Sequence, residues 1–124
     1  MFVTESYRSK KDTIRKHLGE DEILAQMAEE AAELAKACLK LRRAILGNNP
    51  TPVSEDEAME AMTEEWADLL LCKEMLEEAH QPGPDKVRNW INYKANRWAL
   101  RLTGQIPTIG TSATGKKPPS SAPS

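Results

Sequence analysis

Apolar residues recur every three or four positions along two stretches of this chain, and acidic residues interrupt both rows. The first row runs Ile23, Met27, Leu34, Cys38, Leu41, Ile45, the spacing of one α-helical face. Glu30 stands in it, midway between Met27 and Leu34. The second row is Ala58, Met62, Leu69, Cys72, Leu76, Ala79, with Glu65 at its centre and Asp68 beside it, between Ala61 and Met75. Carboxylates are almost never fully buried unless they are paired or bind metal. Two such interruptions on consecutive helices indicate a shared site.

Punctuation residues divide the rest into helices. A first, shorter helix is expected from about Thr4 to Leu18, stopped by Gly19. The second begins with Glu20, Asp21 and Glu22, which complement its dipole. It ends with Lys40, Arg42 and Arg43 before Gly47. Asn48-Asn49-Pro50-Thr51-Pro52 must be a loop. Ser54 and Glu57 form a capping box opening a third helix to about His80. After Pro82-Gly83-Pro84, a fourth runs from Asp85 to about Leu102 and closes at Gly104. No stretch alternates as a strand. The expected fold is therefore all-α, an antiparallel helical bundle of about four helices in a single domain over 1–102. From Thr103 the chain is mostly Ser, Thr, Gly and Pro, a composition that cannot offset the entropy of ordering, so 103–124 is expected to be a disordered tail.

A short connection makes helices two and three antiparallel neighbours. Folding about the Gly47–Ser54 turn brings residues near 31 opposite residues near 67 or 69, so both acidic pairs arrive at one height. Glu30/Glu33 and Glu65/Asp68 are each three residues apart and project from one side of their helix. Four facing carboxylates raise one another's proton affinity unless a cation is present. An all-oxygen set selects a hard cation, Mg²⁺ or Mn²⁺. Calcium suits it less, since no loop offers backbone carbonyls in the usual pattern. The bland alternative, a solvated Glu-rich face, fits Glu29 and Glu64, which lie further towards the polar side.

On the fourth helix Val87, Trp90, Ile91, Trp98 and Leu102 trace an apolar face with Lys94 in its middle and Arg97 and Arg101 on its edge. Three cations beside a divalent metal suit a polyphosphate. Equally, Lys94 can snorkel and the arginines pair with surface acids. Trp66, Trp90 and Trp98 read as core or subunit interface rather than base-stacking platforms, and Met27, Met59, Met62 and Met75 as core filler. His17 and His80 sit near helix C-termini, where positive charge is welcome, away from the acids. Cys38 and Cys72 read as reduced core cysteines. With the acids facing, the two would stand roughly 18 Å apart along the axis, at about 1.5 Å per residue, beyond disulfide reach.

Bulk properties set the background. The chain of 124 residues carries a net charge of −2, which gives no electrostatic footprint for nucleic acid and no basic run for a membrane surface, so neither is expected as a partner. No apolar run approaches the roughly 20 residues needed to span a bilayer. The charged segment Met1–Leu18 does not read as a signal peptide. A soluble, cytoplasmic protein is the expectation.

Glu29-Glu30-Ala31-Ala32-Glu33-Leu34, followed by Glu65-Trp66-Ala67-Asp68, resembles the EExxE…ExxD signature of the MazG-like all-α nucleoside triphosphate pyrophosphohydrolases, relatives of the dimeric dUTPases and dCTP pyrophosphatases. The resemblance covers about Asp21 to Leu102. It implies Mg²⁺-dependent cleavage of a nucleoside triphosphate between its α- and β-phosphates, giving monophosphate and pyrophosphate, in nucleotide-pool clean-up. By position, Glu30, Glu33, Glu65 and Asp68 become the metal-binding and catalytic residues. Gln26, one turn before Glu30, resembles a position often held by glutamine in such proteins. Lys94 and Arg97 fall where relatives tend to carry phosphate-binding residues. The resemblance also implies a homodimer or homotetramer, which would cover an amphipathic hairpin too long for one short chain to bury. Trp66 departs from the small or aliphatic residue usual inside the second motif. The alternative readings are a non-catalytic helical interaction module and a regulator that binds nucleotide without cleaving it.

Overall fold

The computed structural model of the chain describes residues 5–48, 52–105 and 117–118. It is all-helical, with no strand among the described residues. The order is α1 (Glu5–His17), α2 (Glu20–Leu46), α3 (Glu55–Met75), a 3-10 turn (Glu78–His80) and α4 (Pro84–Leu102). These fall into two compact units, Met1–Gln81 and Pro82–Ser124. Of the tail expected over 103–124, residues 106–116 and 119–124 lie outside the described residues.

In the first unit α2 and α3 pack as an antiparallel hairpin, and α1 lies against α3. Local chemistry sets the boundaries. The Gly19 N–H donates to Glu22 Oε1 at 3.1 Å, satisfying one of the donors at the junction before α2. Gly47 closes α2 at φ 72°, the left-handed conformation glycine adopts without steric cost. The Ser54 hydroxyl accepts the N–H of Glu57 at 3.1 Å and caps α3, as the sequence pattern expects.

The third helix does not reach His80. It stops at Met75, with Leu76 extended at φ −65°, ψ 149°. Tertiary contacts decide this. Leu76 and Met75 are buried with Ile23, and Ile14 of α1 and Met27 of α2 pack against that cluster. Arg15 reaches across from α1, Nε donating to the Met75 carbonyl at 3.0 Å and Nη2 to the Leu76 carbonyl. Gln81 Nε2 donates to the same Leu76 oxygen at 2.8 Å. Carbonyls left open by the broken helix thus find donors from other segments, including a charged one, which makes the stronger bond.

Towards the loop end the buried positions are small, Ala37 on α2 and Ala58 on α3. Both cysteines are free, as expected, but only Cys72 is buried; Cys38 is exposed. Cys38 instead lines an open apolar groove of about 370 Å³ with Leu41, Arg42, Ile45, Leu46 and Met62. That half of the apolar row stays open within the first unit among the described residues.

The second unit holds α4, opened by Gly83 and Pro84, a residue that tolerates the first helical turn. Thr103 Oγ1 donates back to the carbonyls of Ala99 and Leu100, and Gly104 turns the chain at φ 76°. No residue of α4 is buried. No helix among the described residues is long and apolar enough to cross a membrane.

Candidate functional site

The hairpin brings Glu30 of α2 together with Glu65 and Asp68 of α3, each offering one carboxylate oxygen within 4.8 Å of the others. All three side chains are half-buried, held there by flanking apolar neighbours in the two rows. Gln26, one turn back, donates from Nε2 to Glu30 Oε1 at 2.7 Å. This bond helps hold the Glu30 carboxylate in place.

Electrostatics follow from the crowding. Partial burial, then the charges of Asp68, Glu30, Glu33 and Glu64, hold the Glu65 carboxyl above the ordinary value for a glutamate. Burial first, then Glu30 and Asp68, push the Cys72 thiol up, so the same negative field reaches the hairpin interior. Within the described chain, the trio presents negative charge with no cationic side chain among its three members. Such an arrangement stores repulsion that a bound cation relieves. Oxygen-only donors at this spacing fit a hard divalent ion such as Mg²⁺ or Mn²⁺.

Glu33 lies one turn further along α2, exposed, its Oε1 3.3 Å from Lys36 Nζ. It adds to the field at Glu65 without joining the trio. Lys94, Arg97 and Arg101 belong to the second unit, where each was expected on one side of α4. Lys94 Nζ stands 5.7 Å from the centroid of Trp90, and Arg97 Cζ 5.6 Å from that of Tyr93. Arg101 is exposed in the last turn. Trp66 and Trp98 are exposed and Trp90 half-buried, so none is core within a single chain.

A second cluster went unread in the sequence. Glu20, Glu77 and His80 also bring ligand atoms within 4.8 Å of one another. Glu20 Oε2 accepts the Glu77 N–H at 2.8 Å and pairs with His80 Nδ1. The hydrogen bond that Glu20 accepts from His80 raises the His80 pKa most; burial opposes it, and the charges of Glu20 and Glu77 add to the rise. The bond to His80 chiefly lowers that of Glu20. A proton on the imidazole thus does here what a metal would do elsewhere, and the pair reads as a clamp. His80 is accordingly not a residue at the end of α3 answering a helix dipole. The signal was available: continuing the antiparallel register ten to twelve residues outward from Glu30 and Asp68 arrives at Glu20 and His80.

No family model, curated protein or solved structure matches the chain. The site must therefore be read from its own chemistry.

Proposed function

We propose that the chain is a Mg²⁺-dependent nucleoside triphosphate pyrophosphohydrolase. The observation carrying this reading is the convergence of Glu30, Glu65 and Asp68 from two helices onto one half-buried point. The EExxE…ExxD resemblance supplies the reaction that such a point suits. Glu30, Glu65 and Asp68 hold the ion, and Glu33 completes the set by giving up its pair with Lys36, an exposed contact of small worth. When bound, Mg²⁺ neutralises phosphate oxygens and lowers the pKa of a coordinated water. Gln26 keeps Glu30 oriented, and a carboxylate of the set takes the proton of the water that attacks the α-phosphorus. The bond to the β-phosphate oxygen breaks, and pyrophosphate leaves with the charge.

The reading extends to assembly. Leu39, Ile45, Leu46, Trp66 and Leu70 stand 43–59 % exposed on the hairpin, more apolar surface than an isolated helical pair ordinarily leaves open. A homodimer or homotetramer would cover it and complete an antiparallel bundle.

Two measurements test the proposal. Pyrophosphate release from a panel of standard and damaged nucleoside triphosphates should require Mg²⁺ and stop with EDTA, and Asp68→Asn should abolish it with the helical content retained. Separately, Mg²⁺ should raise Tm, by the equivalent of about 2.7 kcal/mol at a hundredfold excess over Kd. Glu65→Gln should raise the Tm of the metal-free protein, because it removes a carboxyl crowded by Asp68, Glu30 and Glu33, and remove the response to Mg²⁺. A Tm indifferent to millimolar Mg²⁺ sinks the metal site. A metal response without turnover leaves a nucleotide-binding regulator.

A further inference from the structure

The near-neutral total charge hides a division along the chain. Residues 1–81 carry ten Lys and Arg against eighteen Asp and Glu, whereas 82–124 carry seven against the single Asp85. Most of that positive charge is organised. Lys86, Trp90, Tyr93, Lys94, Arg97 and Arg101 follow one another on α4 at intervals of three or four, or as neighbours across that repeat. They therefore share one stripe of the helix, bordering the apolar residues Val87, Ile91, Trp98 and Leu102, with Trp90 and Lys94 at the boundary.

Within the stripe, rings and cations interleave. Trp90 and Tyr93 meet edge to face with centroids 5.9 Å apart. Lys94 lies over Trp90 and Arg97 over Tyr93. Lys117, from beyond α4 in the same unit, brings its Nζ to 5.8 Å from the Trp90 centroid. Lys86, Lys94 and Arg101 are exposed, and the two rings and Arg97 half-buried. Each aromatic face is thus a platform already attended by a cation.

We infer that this stripe of α4 binds a single-stranded polynucleotide. Bases stack on Trp90 and Tyr93 while Lys86, Lys94, Arg97, Arg101 and Lys117 neutralise the backbone, the combination by which sequence-tolerant single-strand binding operates. The lysines swing from ring to phosphate as a base takes the face. Length argues for a polymer over one nucleotide. Lys86 to Arg101 spans roughly 22 Å at 1.5 Å per residue, about six nucleotides at the 3.4 Å spacing of one stacked strand. The rings argue against a duplex, whose bases are already stacked on one another. The inference stands independently of the pyrophosphohydrolase reading.

The experiment uses the full chain and a fluorescein-labelled 12-nucleotide mixed-sequence DNA strand, read by anisotropy between 50 and 200 mM salt. Binding is expected, with a slope of log K against log salt near −3, since four or five neutralised phosphates each contribute about −0.7 on a single strand. Trp90→Ala should weaken it at least fivefold, and Lys86→Glu should weaken it and flatten the slope, with circular dichroism showing α4 still helical. Glu65→Gln should bind the strand as the parent does, which separates this result from the fate of the metal site. Absence of binding at 50 mM salt overturns the inference. So does equal affinity for the matching duplex or for inorganic polyphosphate of equal charge, because either removes stacking from the account. Should Trp90→Ala unfold α4, Lys86→Glu and the polyphosphate comparison still decide.

Discussion

Replacing Leu76 with alanine tests the contact that ends α3 and holds the open end of the hairpin. Leu76 is 2 % exposed and packs with Ile23 and Met75, so truncation removes nearly a full side chain of burial and leaves a cavity. Leucine-to-alanine changes at such sites cost about 2–5 kcal/mol. The upper end requires a site that cannot collapse, and α1 here contributes only a partly buried Ile14, so about 3 kcal/mol is expected. For a unit of this size each kcal/mol moves Tm by about 4–8 °C, giving a fall of roughly 12–24 °C. Thermal melts and urea titrations followed by circular dichroism should show a lower midpoint at unchanged slope. Leu102→Ala, at a residue 77 % exposed, supplies the comparison and should change stability by about 0.5 kcal/mol or less. If the two substitutions prove equally mild, the burial of Leu76 does not pin the end of α3, and the account of the early helix stop is wrong.

Three further outcomes are expected. The Glu20–His80 clamp has a definite pH signature. The raised His80 stabilises fully below its unfolded value of 6.5 and loses this as pH rises through the folded one, while the lowered Glu20 stabilises above 4.5 and loses it as pH falls. Stability from the pair is therefore greatest between about pH 4.5 and 6.5, and the drop in Tm from pH 6 to 8.5 should be smaller in His80→Gln; an identical drop refutes the clamp. Exposed Cys38 should react with a thiol reagent in the native state while buried Cys72, its thiol also pushed up, waits for unfolding, and matched rates would contradict this burial. Gly47→Ala places a Cβ at φ 72° and should cost about 1 kcal/mol or more by urea titration, with no loss meaning that α2 does not close in the left-handed form.

Local signals in the sequence locate most of the hairpin. Gly19, Gly47 and Ser54 sit where the structure starts and stops its helices, because each acts through its own backbone or hydroxyl within one turn. The facing of Glu30 with Glu65 and Asp68 was legible too, since a short loop leaves an antiparallel pair little freedom in register. What escaped depends on distant partners. Glu77 to His80 have an ordinary helical composition, and the helix ends before them because of partners far away in sequence, Arg15, Glu20 and Ile23 among them. The exposure of Cys38 escaped for a related reason: periodicity marks an apolar face but not how much of it the same chain covers. The total charge averaged away the contrast between the two units; Lys94, Arg97 and Arg101 were legible on one side of α4, whereas the seating of Lys94 over Trp90 and of Arg97 over Tyr93 was not.

The clamp also bears on how this chain tolerates change. Glu20 with Glu77 and His80, and Arg15 reaching from α1, fasten the hairpin at the end remote from its turn, so the alignment of the acids does not rest on the turn alone. Residues inserted between Gly47 and Ser54 can bulge outward at the slight entropic expense of a longer loop, while the helices keep their offset. A substitution at Arg15 or Glu20 has the opposite character: it touches no carboxylate of the trio, yet it frees one helix to slide along the other. Length variation belongs at the turn, and identity matters at the far end.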